Sequence, residues 1–257
     1  MSQVDTQWDQ YLNGFFSDQP LPDSPLQAIF GPLRNAGLKK MVVVGQIGQT
    51  MDGRIATVTG QSKYVNGLPG LTHLHQLRAL VDAVVVGVGT ALADDPQLTV
   101  RLVNGNNPAR VVIDPKARLP HQALVWRDDG IPKIWVIADG VAASPPPKVE
   151  LLSLPAIDGR ISPNRILESL HTRGLQRILI EGGAETVSRF MLAHCLDRLH
   201  LIVAPIVMGS GRPSFNFPPI QHMDEALRLN VATHLIGNEI LLDCDLRHQR
   251  VMADANC

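Results

Sequence analysis

Two arginines and a glutamate lie just beyond apolar runs that predict buried strands. Arg54 follows the first run through an Asp-Gly turn, Arg101 ends a short strand predicted at LTVR, residues 98–101, and Glu181 ends the run RILIE. A guanidinium binds phosphate through two parallel hydrogen bonds, so Arg101 beside a glycine-rich loop suits a phosphate clamp. Taken singly, each arginine is equally compatible with a solvated surface residue, and Glu181 with a helix-capping role. Together they favour a site for an anionic small molecule.

Glycine-rich stretches accompany these charged residues. Residues 182–183 follow Glu181 and open a predicted helix, and a helix N-terminus behind glycines offers backbone N–H groups to an anion. Gly87 and Gly89 follow another strand, but a dinucleotide-binding fingerprint needs a third glycine where Leu92 stands. The loop MGSGRPSF at residues 208–215 either lines the site or only turns the chain. The anion cradle is therefore expected at residues 182–183.

Strands and helices alternate along the part of the chain that must position these residues. Apolar runs predict strands at residues 41–46, 83–87, 110–114, 133–138, 177–181 and 198–204, and two alternating runs flank the hairpin turn Gly237-Asn238. Helices are predicted at residues 71–81, 163–173 and 184–194. This alternation predicts an α/β sandwich whose mostly parallel sheet ends in an antiparallel C-terminal hairpin, with ligands at the carboxyl ends of the strands.

Residues 1–38 differ from the rest and predict an N-terminal extension to a main domain at residues 39–257. Trp8, Tyr11, Phe15 and Phe16 fall at helical spacing, and a proline-punctuated linker follows. A short amphipathic helix docked on the main domain is the favoured interpretation. A contact with a partner or with a second copy of the chain is the alternative.

Composition disfavours several classes of protein. The 257 residues are 45% hydrophobic and 18% charged with a net charge of −1, which disfavours disordered chains and nucleic-acid binders. No run approaches the roughly 18 apolar residues of a membrane helix, and the N-terminus lacks a signal-peptide pattern. The three cysteines form no C-x-x-C pair, which predicts reduced thiols and a cytoplasmic protein. The nine histidines form no metal-ligand pattern, so no metal is expected.

In order and spacing, these segments resemble the reductase domain of riboflavin biosynthesis, the C-terminal half of bifunctional pyrimidine deaminase/reductases that also occurs alone. The matching segments are MDGRIA at residues 51–56, GQSK at 60–63, LR at 77–78, ADDPQLTVR at 93–101, RVVID at 110–114, IEGGA at 180–184, AP at 204–205 and GSG at 209–211. The resemblance spans about residues 41–246 and implies a dihydrofolate-reductase-like three-layer sandwich. The zinc signature of the deaminase half is absent, so it implies reduction without deamination.

The resemblance implies NADPH as cofactor and hydride transfer to the ribose C1 of 5-amino-6-(5-phosphoribosylamino)uracil. It implies that Arg78 and Arg101 hold the phosphate, that Ser62, Leu98 and Glu181 also line the substrate, and that Arg54 and Glu181 serve the reacting carbon. Residues implied to line NADPH are Gly48, Tyr64, Thr90, Asp94, Pro115, Gly183, Ala184, Glu185, Thr186, Val187, Ser188 and Arg189. The charges of Lys116 and Arg118 suggest a contact with the adenosine 2′-phosphate.

Three functions stay open at this point. The first is the riboflavin-pathway reductase. The second is an NAD(P)H-dependent reductase of a pterin, whose substrate would not need both Arg78 and Arg101. The third is a non-catalytic nucleotide-binding protein that uses its N-terminal helix as a partner surface. The resemblance also implies a homodimer, for which the C-terminal hairpin offers an uncovered edge; neither a nucleic-acid nor a membrane partner is expected.

Overall fold

The computed structural model describes residues 3–17, 20–21, 23–34, 41–63 and 65–250. The helices within these ranges are α1 (Gln3–Phe15), α2 (Pro25–Arg34), α3 (Leu68–Leu80), α4 (Val88–Asp94), α5 (Pro163–His171) and α6 (Ala184–Leu192). The strands are β1 (Val42–Thr50), β2 (Arg54–Ala56), β3 (Ala83–Gly87), β4 (Ala109–Ile113), β5 (Lys133–Ala138), β6 (Val149–Leu154), β7 (Ala156–Ile157), β8 (Arg160–Ile161), β9 (Arg177–Glu181), β10 (Arg198–Ala204), β11 (Arg212–Pro213), β12 (Asn230–Ile236) and β13 (Glu239–Asp245).

The chain divides into two compact units. The first comprises Met1–Val42 and Leu71–Leu179, and the second comprises Val43–Gly70 and Ile180–Cys257. The domain boundary expected at residue 38 is not one of these divisions and stays a prediction, since residues 35–40 lie outside the described residues.

The first unit contains the first three residues of β9, at 177–179, and the strands β3, β4, β5 and β6, in the order β9-β3-β4-β5-β6. β3 pairs with β4, β4 with β5 and β5 with β6, and all three pairs are parallel. In β3, residues 83–86 are completely buried. Strands covered on both faces read as continuous apolar runs, which is why the sequence predicts these strands well.

The second unit orders its strands β12-β13-β10-β1. β1 and β10 are parallel, whereas β10 with β13 and β12 with β13 are antiparallel. β12 ends at Ile236 and β13 begins at Glu239, so the expected two-residue turn is present, with Gly237 at a φ of 65°. Parallel strands that end in an antiparallel C-terminal pair confirm the predicted α/β class.

The helices α2 and α4 and the strands β2, β6, β7, β8 and β11 were not predicted from the sequence. The short strand predicted at residues 98–101 was wrong: these residues form no strand, and Leu98 has a left-handed backbone that a strand does not accommodate. α2 begins with Pro25 and contains Pro32, and prolines predict a linker. Proline is nevertheless tolerated in the first helical turn, where its missing N–H has no partner to lose. Tertiary packing compensates for Pro32, because Ile29, Phe30 and Leu33 of this helix are buried.

The N-terminal helices carry their aromatic residues inward. Trp8, Tyr11 and Phe15 of α1 are buried, as is Phe30 of α2. The rings of Trp8 and Phe30 meet edge to face with centroids 6.1 Å apart. The structure therefore agrees with a docked helix.

Candidate functional site

Two arginines converge on Thr99 in the first unit. Arg78 Nη1 donates a hydrogen bond to the carbonyl oxygen of Thr99 at 3.0 Å, and Arg101 donates to the Thr99 hydroxyl. Arg78 is only 4% exposed, whereas Arg101 faces solvent. One buried and one solvent-facing guanidinium beside the same residue suit a phosphate, which accepts several charge-assisted hydrogen bonds.

His75 fixes the main chain at Arg101. The backbone N–H of Arg101 donates to His75 Nδ1 at 2.8 Å. Burial, and then the charges of Arg78 and Arg101, lower the pKa of His75 to about 3, so its ring is neutral and can accept this bond near neutral pH. The sequence analysis missed His75; its position three residues before Arg78, on the same face of a helix, was the available signal.

The segment that leads to Arg101 has an unusual backbone. Leu98 adopts a left-handed conformation with a φ of 55°, and its side chain is 1% exposed. Asp95, at the end of α4, has a φ of 40°. Such conformations are unfavourable for residues other than glycine and cluster at functional sites. Leu98 as a whole residue is buried, so its contact with the substrate stays a prediction.

The other predicted cofactor residues of this unit lie on α4 and after β4. Thr90 is half-buried and Asp94 is exposed. Pro115 is half-buried, and Lys116 beyond it is exposed. Arg118 Nε lies 3.8 Å from the buried carboxylate of Asp114. All remain predicted cofactor contacts.

In the second unit, Glu181 leads into the N-terminus of α6. Glu181 is buried at the end of β9, and Gly182 follows with a φ of 130°, a conformation that favours glycine. Gly183 caps the helix without a side-chain hydrogen bond. Gly183 as the N-cap offers no side chain to the first turn of α6, and a helix N-terminus that follows two glycines suits an anionic ligand.

Side chains farther along α6 have partners in the protein. The hydroxyl of Ser188 accepts a hydrogen bond from Asn216 N at 2.8 Å, and Glu185 Oε2 accepts one from Asn216 Nδ2 at 2.7 Å. Val187 and Ser188 are completely buried. Asn216, which the sequence analysis missed, thus ties a loop to the helix. Ala184, Thr186 and Arg189 are half-buried.

Asp52 organises the surroundings of Arg54. It accepts hydrogen bonds from the Thr50 hydroxyl at 2.6 Å and from Gly209 N at 2.6 Å, and the first of these, with further backbone donors, lowers the pKa of Asp52 to about 2. Arg54 Nε in turn donates to the carbonyl oxygen of Gly209 at 3.2 Å. The loop at residues 208–215 therefore does more than turn the chain: it holds the half-buried Arg54.

Gly48 has a structural role of its own. A Cβ atom at this position would lie 1.7 Å from Asn66 Oδ1. Asn66 Nδ2 donates to Glu239 Oε1 at 2.8 Å, and Gly70 N donates to Glu239 Oε2 at 2.7 Å. The buried Glu239, also missed, therefore binds the start of α3. Ser62 is half-buried, and Tyr64 lies outside the described residues.

The structure thus collects the predicted residues into separate groups. Arg78 and Arg101 both bind Thr99 in the first unit, and Leu98 directly precedes Thr99 in the chain. In the second, Arg54 meets the 208–215 loop and Glu181 meets the start of α6. Among the described residues, no group of three or more His, Cys, Asp or Glu is arranged to hold a metal ion. No helix there has the length and apolar character required to cross a membrane.

Comparison with known proteins finds a family and close relatives. Residues 41–242 match the RibD C-terminal domain. Over 213 residues the chain is 33% identical to the 2,5-diamino-6-ribosylamino-4(3H)-pyrimidinone 5′-phosphate reductase of Methanothermobacter thermautotrophicus, covering 78% of this chain and 96% of that relative. The enzyme of the same name from Archaeoglobus fulgidus is 31% identical over 181 residues, covering 65% of this chain and 81% of the relative.

A solved structure extends the likeness to the fold. The diaminohydroxyphosphoribosylaminopyrimidine deaminase/5-amino-6-(5-phosphoribosylamino)uracil reductase of Thermotoga maritima superposes with a TM-score of 0.70 at 29% identity. The match covers 80% of this chain and 57% of that one. The chain therefore corresponds to just over half of the Thermotoga protein but to nearly all of the Methanothermobacter reductase.

Proposed function

Because the chain belongs to the RibD C-terminal domain family, we propose that it is a pyrimidine reductase of riboflavin biosynthesis that reduces the ribose of a phosphorylated ribosylaminopyrimidine with NADPH. The observation that carries this proposal is the pair of arginines, Arg78 and Arg101, around Thr99. A sugar phosphate is the part of this substrate that requires two cations. A pterin without a phosphate would leave the pair without a role.

The proposed roles at the phosphate end follow from burial and charge. Arg78 supplies a buried, immobile guanidinium, and Arg101 supplies an exposed one whose backbone is held by neutral His75. A guanidinium already ordered by the protein loses less entropy when it binds phosphate. Leu98, whose backbone is left-handed, is proposed as a further substrate contact in the same segment.

Arg54 and Glu181 have proposed roles at the reacting carbon. The hydrogen bond from Nε to Gly209 O holds the guanidinium of Arg54, and its other N–H groups are proposed to donate to the sugar. Glu181 presents a carboxylate at the end of β9 that accepts hydrogen bonds from substrate hydroxyl or amino groups. Ser62 is proposed as a further substrate contact. These residues orient the substrate, and orientation lowers the barrier of the transfer.

The residues at the start of α6 fit a dinucleotide phosphate. Gly182 and Gly183 bring the start of α6 to the end of β9, and no side chain at residues 182–183 blocks approach to it. NADPH, when bound, supplies the hydride. Gly48, Thr90, Asp94, Pro115 and Tyr64 are proposed to line it, with Lys116 and Arg118 toward the adenosine 2′-phosphate.

Two forms of the pyrimidine are candidates. The family resemblance implies the amino-uracil form. The names of the two archaeal relatives favour the diaminopyrimidinone form as a second candidate, and one of them is covered over 96% of its length. Both forms carry the same ribose phosphate, so the arginine pair serves either.

Oxidation of NADPH with each pyrimidine, and with a dihydropterin, tests the proposal. We expect turnover with one or both pyrimidines and its near loss in Arg101→Ala. Arg165→Ala is the matched control, because Arg165 is an exposed arginine of α5 paired with Glu168. Turnover of the dihydropterin alone would replace the proposal with a pterin reductase. Tight NADPH binding without any turnover would favour a nucleotide-binding protein.

A homodimer through β12 is a separate proposal. Val231 and Leu235 of this strand are exposed, and Leu235, at 79%, pairs in register with the exposed Ile240 of β13. An exposed apolar edge strand is a site of association in many proteins. Light scattering after size exclusion should find a dimer for the wild type and a monomer for Leu235→Lys. A wild-type monomer at high concentration would overturn it.

A further inference from the structure

The N-terminal helices lie outside the family match, which begins at residue 41. We propose that α1 and α2 position the phosphate-binding Arg101, chiefly through Trp8 and Asp9, which hold Asn104 in the loop that follows it. The proposal rests on the proposed function in assigning phosphate binding to Arg101. It gives the N-terminal extension a role in substrate affinity.

Two adjacent residues of α1 bind Asn104. Trp8 Nε1 donates to the carbonyl oxygen of Asn104 at 2.8 Å. Asn104 Nδ2 lies 2.8 and 3.0 Å from the two carboxylate oxygens of Asp9 and donates to that group. Main chain and side chain of one loop residue are thus fixed by one helix, three positions after Arg101.

Gly105 secures the same loop against α3. Its φ is 149°, and a Cβ atom there would lie 2.5 Å from Cβ of Ala79 and 3.8 Å from Leu12 Cδ2. The loop therefore approaches α3 beside Ala79, the neighbour of Arg78, with α1 close by. At its base, Val100 N donates to Asn107 Oδ1 at 2.7 Å.

A second connection runs through α3 itself. The ring of Phe30 in α2 stacks on His73, with centroids 5.1 Å apart and planes inclined by 22°. His73 precedes His75 by two residues, and His75 accepts the backbone N–H of Arg101. Both supports of Arg101, the loop after it and the helix beside it, therefore contact the N-terminal helices.

The loop after Arg101 needs such supports because it is exposed to solvent. Residues 101–102 and 104–106 are exposed, so the loop buries little apolar surface of its own. Segments of this kind sample many conformations unless they are held from outside. Trp8 and Phe30 are themselves buried, so their packing anchors α1 and α2. Releasing Asn104 should raise the KM for the phosphorylated substrate by about three- to tenfold, the usual penalty for ordering a few side chains on binding.

Six variants of the full chain test the proposal. Asn104→Asp replaces the amide donor by a carboxylate opposite Asp9, and Trp8→Phe removes the N–H but keeps a ring. Asn106→Ala is the control in the same exposed loop. Tyr11→Phe is the control in α1, because the Tyr11 hydroxyl pairs with Gln27 of α2 and not with the loop. Asp9→Asn, which keeps an acceptor, should stay closer to wild type than Asp9→Ala.

The first measurement is hydrogen exchange of peptides that cover residues 98–107, without substrate. We expect faster exchange in Asn104→Asp and Trp8→Phe and none of this change in the controls. The second is steady-state kinetics, where the KM for the pyrimidine should rise while kcat and the KM for NADPH hold. A purely structural role for the helices would instead lower the amount of active enzyme, and hence kcat, at unchanged KM.

Unchanged exchange at residues 98–107, or an unchanged pyrimidine KM, in both Asn104→Asp and Trp8→Phe would overturn the positioning role. If no pyrimidine is reduced by the wild type, the proposed function fails by itself. Two measurements then still decide whether the helices order a phosphate-binding segment. They are hydrogen exchange at residues 98–107 and the affinity for ribose 5-phosphate, which calorimetry measures.

Discussion

The two regions of the molecule that we propose to bind anionic groups are built in opposite ways. Around Arg101 in the first unit, the donors are side chains, and they are held by residues distant along the chain such as His75 and Trp8. At the start of α6 in the second unit, the donors are backbone N–H groups, and the local geometry of Gly182 and Gly183 presents them. One region depends on charge, the other on main-chain conformation.

This difference determines which changes remove or displace the hydrogen-bond donors of each region. A side-chain donor is removed by one substitution, is screened by salt, and loses its orientation when a remote support is lost. A backbone donor survives most substitutions and is displaced only when the main chain is forced into another conformation. The region around Arg101 should therefore respond to distant changes, and the start of α6 only to local ones.

The largest expected effect is at the arginine pair. Arg101→Ala removes a guanidinium whose charge-assisted hydrogen bonds are each worth about 1.5–3 kcal/mol, so kcat/KM for the pyrimidine should fall about 100-fold. Arg101→Lys should recover part of this loss. The KM for NADPH should stay at the wild-type value. An equal loss of affinity for NADPH would contradict the division between the two regions.

Next in size is the main-chain region. Gly182→Ala places a Cβ at a φ of 130°, and the strain should raise the KM for NADPH about tenfold by moving the first turn of α6. Gly174→Ala is the matched control, since Gly174 also has a positive φ, of 77°. Kinetics at saturating pyrimidine measure the effect. Equal NADPH constants in the two variants would argue against a cofactor site at α6.

A smaller effect concerns pH and the support of Arg101. The folded-state pKa of His75, about 3, lies below the unfolded value of about 6.5. Between these values the unfolded chain binds more protons, so the contribution of His75 to stability is complete above pH ~6.5 and is lost as the pH falls toward ~3. His75→Asn keeps an acceptor for Arg101 N but does not titrate. When the pH is lowered from ~6.5 to ~4, the thermal midpoint of His75→Asn should therefore fall about 3 °C less than that of the wild type. An equal fall of the thermal midpoint in the wild type and in His75→Asn would exclude the lowered pKa of His75.

The smallest effect is that of salt. Raising the ionic strength to about 0.15 M shortens the range of charge interactions to about 8 Å, so the KM for the pyrimidine should rise about twofold because Arg101 is exposed. Arg101→Ala should lose this salt dependence. A salt response that persists in the variant would assign it to other cations.

Much of the fold is readable from the sequence because it depends on local patterns. The strands at residues 83–87, 133–138, 177–181 and 198–204 have the observed bounds, since continuous apolar runs and their flanking residues mark a buried strand. α2 was missed because its prolines normally interrupt helices, and only its buried face against other elements stabilises it.

By itself, the sequence determined the α/β class, the family resemblance and the identity of the candidate charged residues, because residue type, order and hydrophobic period are local properties. Only the tertiary structure decided which groups meet. Trp8 and Asn104 are 96 positions apart, and Glu239 reaches Gly70 across 169. Such contacts depend on strand order and on the path of loops, which bring distant residues within hydrogen-bond range without leaving a periodic signal in the chain. The neutral state of His75 is of the same kind, because it arises from burial and from two guanidinium charges that folding brings beside the ring.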